Sequence, residues 1–231
     1  MYNEFFHAAV DSYMRKRATR ELENPKERIF THVTDRFLRE GFVRVSMDEI
    51  ASDLIMSKRT LYSVFPSKKS IVREVIDHLL ADIRAGLEEI RNSEGTFIVT
   101  FHRTMTFLAH LGSRIGKPFL SDLQRQMPHQ WKRIQEFRRD RILQTFSNLL
   151  DQGMREGYIR KGINKEVFLQ SYLAAVEAIV TPSVLMYQSY SAGEAIQNIL
   201  EIFFRGVLTE DATRELARFQ KSTTISQHED L

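Results

Sequence analysis

Three hydroxyl residues suited to start helices crowd into one short piece of this chain, and they constrain its fold more than any other feature. Ser46 stands three residues before Glu49, the spacing of a reciprocal capping box. Ser57 precedes "KRTLYSVF"; Pro66 then forbids that helix from continuing, and Ser67 can cap another. A short helix over about 47–54, a tight turn at 54–56 and a second helix after Ser57 make a helix-turn-helix. Ile50 and Ala51 supply the buried side of the first helix, Leu61 and Phe65 that of the second.

The flanking sequence continues in the same manner. In "NPKERIF", Asn24 can cap, Pro25 suits the first helical position, and Glu27 completes a capping-box-like pair. Ile29, Val33, Phe37 and Leu38 then line one face until Gly41 stops the helix. The helix after Ser67 can reach about Arg91. No long run alternates apolar with polar residues, and ten Gly and five Pro are few for 231 residues, so the chain is expected to be all-α. From "NSEGT" onward long helical stretches follow. Residues 96–115 are apolar almost all round, as in a helix surrounded by others, and Pro118 and Pro128 divide the next stretch into a short helix and a long one ended by Gly157. Asn164 caps a helix that bends near Pro182, and "SAGEAIQNILEIFFRGVL" is the last substantial helix, while "QKSTTISQHEDL" has little to bury and is expected to be disordered. The expected organisation is an extension at 1–23, a three-helix unit with the helix-turn-helix at 24–76, a larger helical domain at 77–219 and a tail at 220–231.

Composition excludes several classes of function. Zero cysteines rule out disulfides, iron–sulfur clusters and thiolate zinc sites. The seven histidines are scattered, with no H-E-x-x-H spacing, so no metal site is expected. There is no G-x-S-x-G, phosphate-binding loop or dinucleotide fingerprint, so catalytic residues and cofactors are expected to be none. The N-terminus places its basic residues after the apolar ones, the reverse of a secretory signal; the most apolar long segment is interrupted by Gln170, Glu177 and Pro182, too polar for a membrane span. A cytoplasmic protein is the simplest reading.

A net charge of +3 does not by itself mark a nucleic-acid binder, but the distribution does more. From 54 to 73 there are five basic residues and no acid, which makes an anion-attracting face. Lys58, Arg59, Thr60, Tyr62 and Ser63 remain for a DNA groove, where Arg can pair with guanine and Thr can meet a base edge or a thymine methyl. Ser57, Tyr62 and Lys68 suit phosphate oxygens. The plain alternative is a solvated basic face, which the motif context outweighs. In the extension, Arg15, Lys16, Arg17 and Arg20 follow a helical apolar pattern; a DNA-touching arm and a solvated tail are both open, and Met14 can be the true start.

The stretch "RIFTHVTDRFLREGFVRVSMDEIASDLIMSKRTLYSVFPSKKSIVREVI" resembles the DNA-binding domain of the TetR/AcrR family of transcriptional regulators, through its "GF" loop, "IA" pair, "S-K-x-T-L-Y" and "F-P-S-K" in register. The resemblance implies that Ser46 meets phosphate as well as capping its helix. It also implies a C-terminal domain that dimerises through its last two long helices and often encloses an effector pocket. Under that arrangement Phe101, Met105, Leu108, Phe119 and Leu123 would line an apolar cavity together with Met127, Trp131, Phe137 and Tyr172. Glu177, inside an apolar helix, can bind a cationic effector, or belong to an exposed stripe or a dimer hydrogen bond. One position departs from the family pattern: Ile55 stands where glycine usually takes positive φ. Either the turn has another backbone there, or packing of the Ile side chain offsets the strain. The resemblance thus implies a homodimeric repressor that binds a palindromic double-stranded operator and is released by a small apolar or amphipathic effector. The competing class is a helical-bundle enzyme or small-molecule-binding protein in which the helix-turn-helix is structural.

Overall fold

Capping chemistry sets the order of the elements. The computed structural model describes residues 24–228, with side chains to Phe219. The basic arm and the alternative start expected within 1–23 therefore lie outside the described residues. Helix α1 (Pro25–Glu40) begins at Asn24, whose side chain accepts from Lys26 N at N2 rather than from N3, and it ends at Gly41 with φ +83. Helix α2 (Met47–Asp53) has both halves of its Ser46–Glu49 box, α3 (Lys58–Val64) starts on Ser57, and α4 (Lys68–Asn92) starts on Ser67. At 25 residues α4 is about 37 Å long.

The remainder is α5 (Phe97–Arg114), α6 (Lys117–Gln126), α7 (Pro128–Arg155), α8 (Lys165–Ile179), α9 (Pro182–Leu185), α10 (Ala192–Arg205) and α11 (Glu210–His228). Proline opens α6, α7 and α9, where its missing N–H costs nothing. Two expectations are corrected here. Pro182 does not bend α8: that helix has ended before it, and Pro182 opens a separate short turn. Nor is α10 the last substantial helix, because α11 follows and runs through most of the segment expected to be disordered. Its start was legible in "TED": the Thr209 hydroxyl accepts from Ala212 N at 3.3 Å, and Glu210 and Asp211 sit in the first turn.

Packing joins the two expected domains. Ile29, Phe37, Ile50, Leu61 and Ile71 close the core of α1–α4, and a single cluster of buried apolar residues connects them to Phe101, Phe146, Tyr172 and Phe204 of the later helices. The 76/77 boundary falls inside α4. The α5–α10 crossing is very close: a Cβ on Gly112 would lie 2.3 Å from Gly193 Cα. The described residues contain no strand, only an isolated antiparallel bridge between Ile159 and Leu208, and no helix long and apolar enough to cross a membrane.

Candidate nucleic-acid interface and linked cavity

Helix α3 displays the expected donors. Lys58, Arg59, Thr60, Tyr62 and Ser63 are all exposed, while Leu61 between them is buried. Ser57 Oγ accepts from Thr60 N at 3.0 Å and shares a 2.8 Å hydrogen bond with Thr60 Oγ1, and Ser63 Oγ donates to Thr60 O at 2.7 Å. These hydroxyls are oriented by their own helix and keep further bonding capacity. Lys58 Nζ lies 2.7 Å from Asp48 Oδ2 with both side chains exposed, a pair worth about 0–1 kcal/mol that a phosphate can replace. Ser46 is held in its capping box, with Glu49 N–Ser46 Oγ at 3.1 Å and Ser46 N–Glu49 Oε2 at 2.6 Å.

Lys68 has a role that its sequence position does not reveal. Its ammonium donates to Val43 O (3.1 Å) and Val45 O (2.8 Å), so two of its three protons hold the "GFVRV" loop. Partial burial pushes its pKa below the usual lysine value, against the opposing charges of Asp122 and Glu49.

The turn between α2 and α3 resolves the question posed by Ile55. Ile55 N donates to Ser52 O (3.0 Å) and Met56 N to Ala51 O (2.9 Å), the pair of bonds of a Schellman motif, which needs a left-handed residue between them. Ile55 takes that conformation, with φ +52. Its side chain is 94% exposed, so packing does not offset the strain. The turn keeps the backbone that glycine would adopt, and both alternatives offered by sequence are set aside.

A cavity of about 150 Å³ lies among α4, α5, α7 and α8. Leu108, Trp131, Phe137 and Tyr172 line it as expected. Phe101, Met105, Phe119, Leu123 and Met127 instead pack in or against the hydrophobic core; Phe101 meets Phe204 at 4.7 Å and Phe119 meets Phe42 at 6.1 Å. An apolar stripe marks core and cavity wall alike, so periodicity could not separate the two. Glu177 is not in the wall either: its Oε1 accepts from Arg139 Nε (3.1 Å) and Nη2 (2.9 Å). The cationic-effector role for Glu177 is therefore not supported by its position. Sequence reasoning missed Leu79 and Ile83 of α4 and, above all, Arg138 and Arg141 of α7, which line the cavity. Arg138 sits in "EFRRDR", a run that reads as a solvated face, yet it falls seven residues after Trp131 on the stripe that includes Ile134 and Ile142. That spacing was the available signal.

The cavity and the helix-turn-helix unit are joined by direct contacts. Ile115 and Leu120 line the cavity. Their neighbours hold the N-terminal unit: Gly116 N donates to Leu38 O at 2.8 Å, Asp122 Oδ2 accepts from Val43 N at 2.8 Å, and Arg114 pairs with Asp35 at 3.1 Å. A Cβ at Gly116 would stand 2.4 Å from Arg39 O, so this approach requires glycine. Asp122 thus holds the same loop that Lys68 holds.

Residues 35–75 match the model of the bacterial regulatory proteins, tetR family. An uncharacterised HTH-type transcriptional regulator of Bacillus subtilis (strain 168), YvaF, is 21% identical over 179 residues, 77% of this chain and 93% of that protein. Among solved structures, a transcriptional regulator from Cytophaga hutchinsonii is similar with a TM-score of 0.59 at 19% identity, covering 79% of this chain and 98% of the other. The ketosteroid transcriptional regulator KstR2 of Mycobacterium tuberculosis is similar with a TM-score of 0.55 at 18% identity, covering 82% and 97%. At these identities the structural likeness establishes the fold.

Proposed function

We propose, from the premise that this chain belongs to the TetR/AcrR family of DNA-binding transcriptional regulators, that it works as a homodimeric repressor which a small amphipathic ligand releases from a palindromic operator. The observation that carries the ligand-release reading is the short path between cavity and reading head. Ile115 and Leu120 touch the cavity, and Gly116 and Asp122 beside them hold α1 and the loop before α2. A ligand that displaces α6 by a fraction of an ångström moves the support of that loop, while α4 carries the same displacement from Leu79 and Ile83 toward Lys68. Ligand and DNA then weaken each other's binding by the same factor.

Residues 24–76 form the DNA-binding unit in this reading, and 77–219 the effector and dimerisation unit. Arg59 and Thr60 are assigned to base edges and thymine methyls, with Lys58 and Ser63 beside them in the groove and Tyr62 at a phosphate. Ser46, Ser57 and Lys68 are assigned to phosphates. Two copies of α3 enter successive major grooves about 34–36 Å apart. Support for a dimer face comes from Val167 and Ile202, which are 59% and 70% exposed and stand one residue before Phe168 and Phe203, whose rings pack together. A mobility-shift titration against genomic fragments tests the reading. Specific binding that falls steeply with salt is expected, and its absence at every fragment would overturn the assignment in favour of a structural helix-turn-helix.

A further inference from the structure

The cavity is almost wholly apolar, but the charge placed in its wall is cationic. Arg138 Nη1 donates to Val180 O at 3.1 Å, while its Nε and Nη2 are buried with no hydrogen-bond partner, as is Nε of Arg141. Orphaned guanidinium donors are costly in a dry environment, and burial pulls the pKa of Arg138 down from the usual arginine value, though such a group stays protonated. Glu177 lies close enough to favour that charge, but its carboxylate is bonded to Arg139. Among the described residues no acid lines the cavity. Arg141 also stacks on Phe137, with the guanidinium carbon 5.7 Å from the ring centroid. An incoming anion would therefore meet the two unpartnered donors of Arg138, while the nearby Glu177 carboxylate is engaged by Arg139.

We propose that the effector is a small monocarboxylate with an apolar body, whose carboxylate is received by the free Nε and Nη2 of Arg138, with Arg141 adding charge. This deepens the ligand-release reading above and rests on it for its regulatory meaning. A guanidinium edge offers two parallel N–H groups that match the two oxygens of a carboxylate. The rest of the wall, from Leu79 and Ile83 to Trp131 and Val176, provides only dispersion and area for a hydrocarbon. The volume of about 150 Å³ suits a body of roughly benzene to short-alkyl size. A doubly charged phosphate is disfavoured, because one apolar cavity would have to desolvate both charges.

Trp131 is the one tryptophan of the chain and lines the cavity, so its fluorescence reports occupancy directly. Full-length protein is titrated with pentanoate, benzoate, 1-pentanol and pentylamine at constant ionic strength. A carboxylate is expected to bind at least about tenfold more tightly than the alcohol, with the amine weakest. Arg138→Gln should erase that preference and leave the alcohol within about twofold of its wild-type affinity. Equal binding of carboxylate and alcohol, tighter binding of the amine, no binding of either carboxylate, or a preference that survives in R138Q would each overturn the proposal. Should R138Q fail to fold, the wild-type comparison of head groups already decides it. Carboxylate binding through Arg138 that leaves operator affinity unchanged supports this site and removes the ligand-release reading alone.

Discussion

At Ile55 a β-branched residue occupies a left-handed position with nothing packed against it. Such a conformation costs about 1–2 kcal/mol, and glycine gives back about 0.5–1 kcal/mol of that through its freer unfolded chain. Ile55→Gly is therefore expected to raise stability by about 0.5–1 kcal/mol, measured by urea unfolding, with α2 and α3 unchanged in geometry. Unchanged or lower stability would show that the exposed side chain has a stabilising contact absent from the isolated chain. Arg59 and Lys68 separate by readout. Arg59→Ala should cost about 1–3 kcal/mol at the specific site and relax base preference at one position. Lys68→Ala should weaken all sequences evenly, lower the salt slope by about one, and also reduce thermal stability, since Val43 O and Val45 O lose their shared donor. Equal, sequence-independent losses for both would refute the assignment of Arg59 to bases.

Helices here are held by their ends, and the ends explain both stability and coupling. Glu49 and Glu194 each accept the backbone N–H of their N-cap serine, and those hydrogen bonds hold both carboxyls below the usual value of 4.5. A carboxylate whose folded pKa is depressed contributes stability that is present above 4.5 and lost as pH falls below it. Stability should therefore decline on acidification through that region, and Glu49→Gln with Glu194→Gln should flatten the decline in urea midpoints measured from neutral to acid pH. The contact between α6 and the N-terminal unit predicts a different signature. Asp122→Ala leaves Val43 N without its acceptor, with a loss of about 1–2 kcal/mol in stability. Operator affinity measured with and without a bound carboxylate should then differ less than in the wild type. Gly116→Ala forces a methyl against Arg39 O and should destabilise by about 1–3 kcal/mol. An Asp122 variant that responds fully to ligand would mean that α4 alone transmits the signal.

The molecule as a whole is a helix-turn-helix unit built onto a helical bundle through one shared core, and in the proposed reading its activity requires two copies. Val167→Glu with Ile202→Glu should abolish self-association in sedimentation experiments and with it tight operator binding, leaving the helical content intact. A monomer that still bound the full operator tightly would sink the paired-groove reading. The starts of the helices in the N-terminal unit were readable from sequence: Asn24, Ser46, Ser57 and Ser67 begin their helices where local chemistry placed them, whereas the positive φ of an unpacked Ile55 was neither of the alternatives that the sequence offered. Caps, prolines and turn geometry are interactions between near neighbours, so the local order of amino acids specifies them. The bundle was less legible. Phe101 and Phe119 were indistinguishable from Trp131 and Tyr172 because burial in a core and burial in a cavity wall have the same helical period. Arg138 belongs to a charged run that carries no local mark of burial, and only the packing of α4, α5 and α8 around α7 encloses it. The sequence alone determined an all-α chain with its helix-turn-helix and the cationic face of α3. Which side chains surround an empty volume, which donors lose their water, and how that volume is tied to α1 were decided by tertiary structure, because each depends on segments tens of residues apart arriving at the same place.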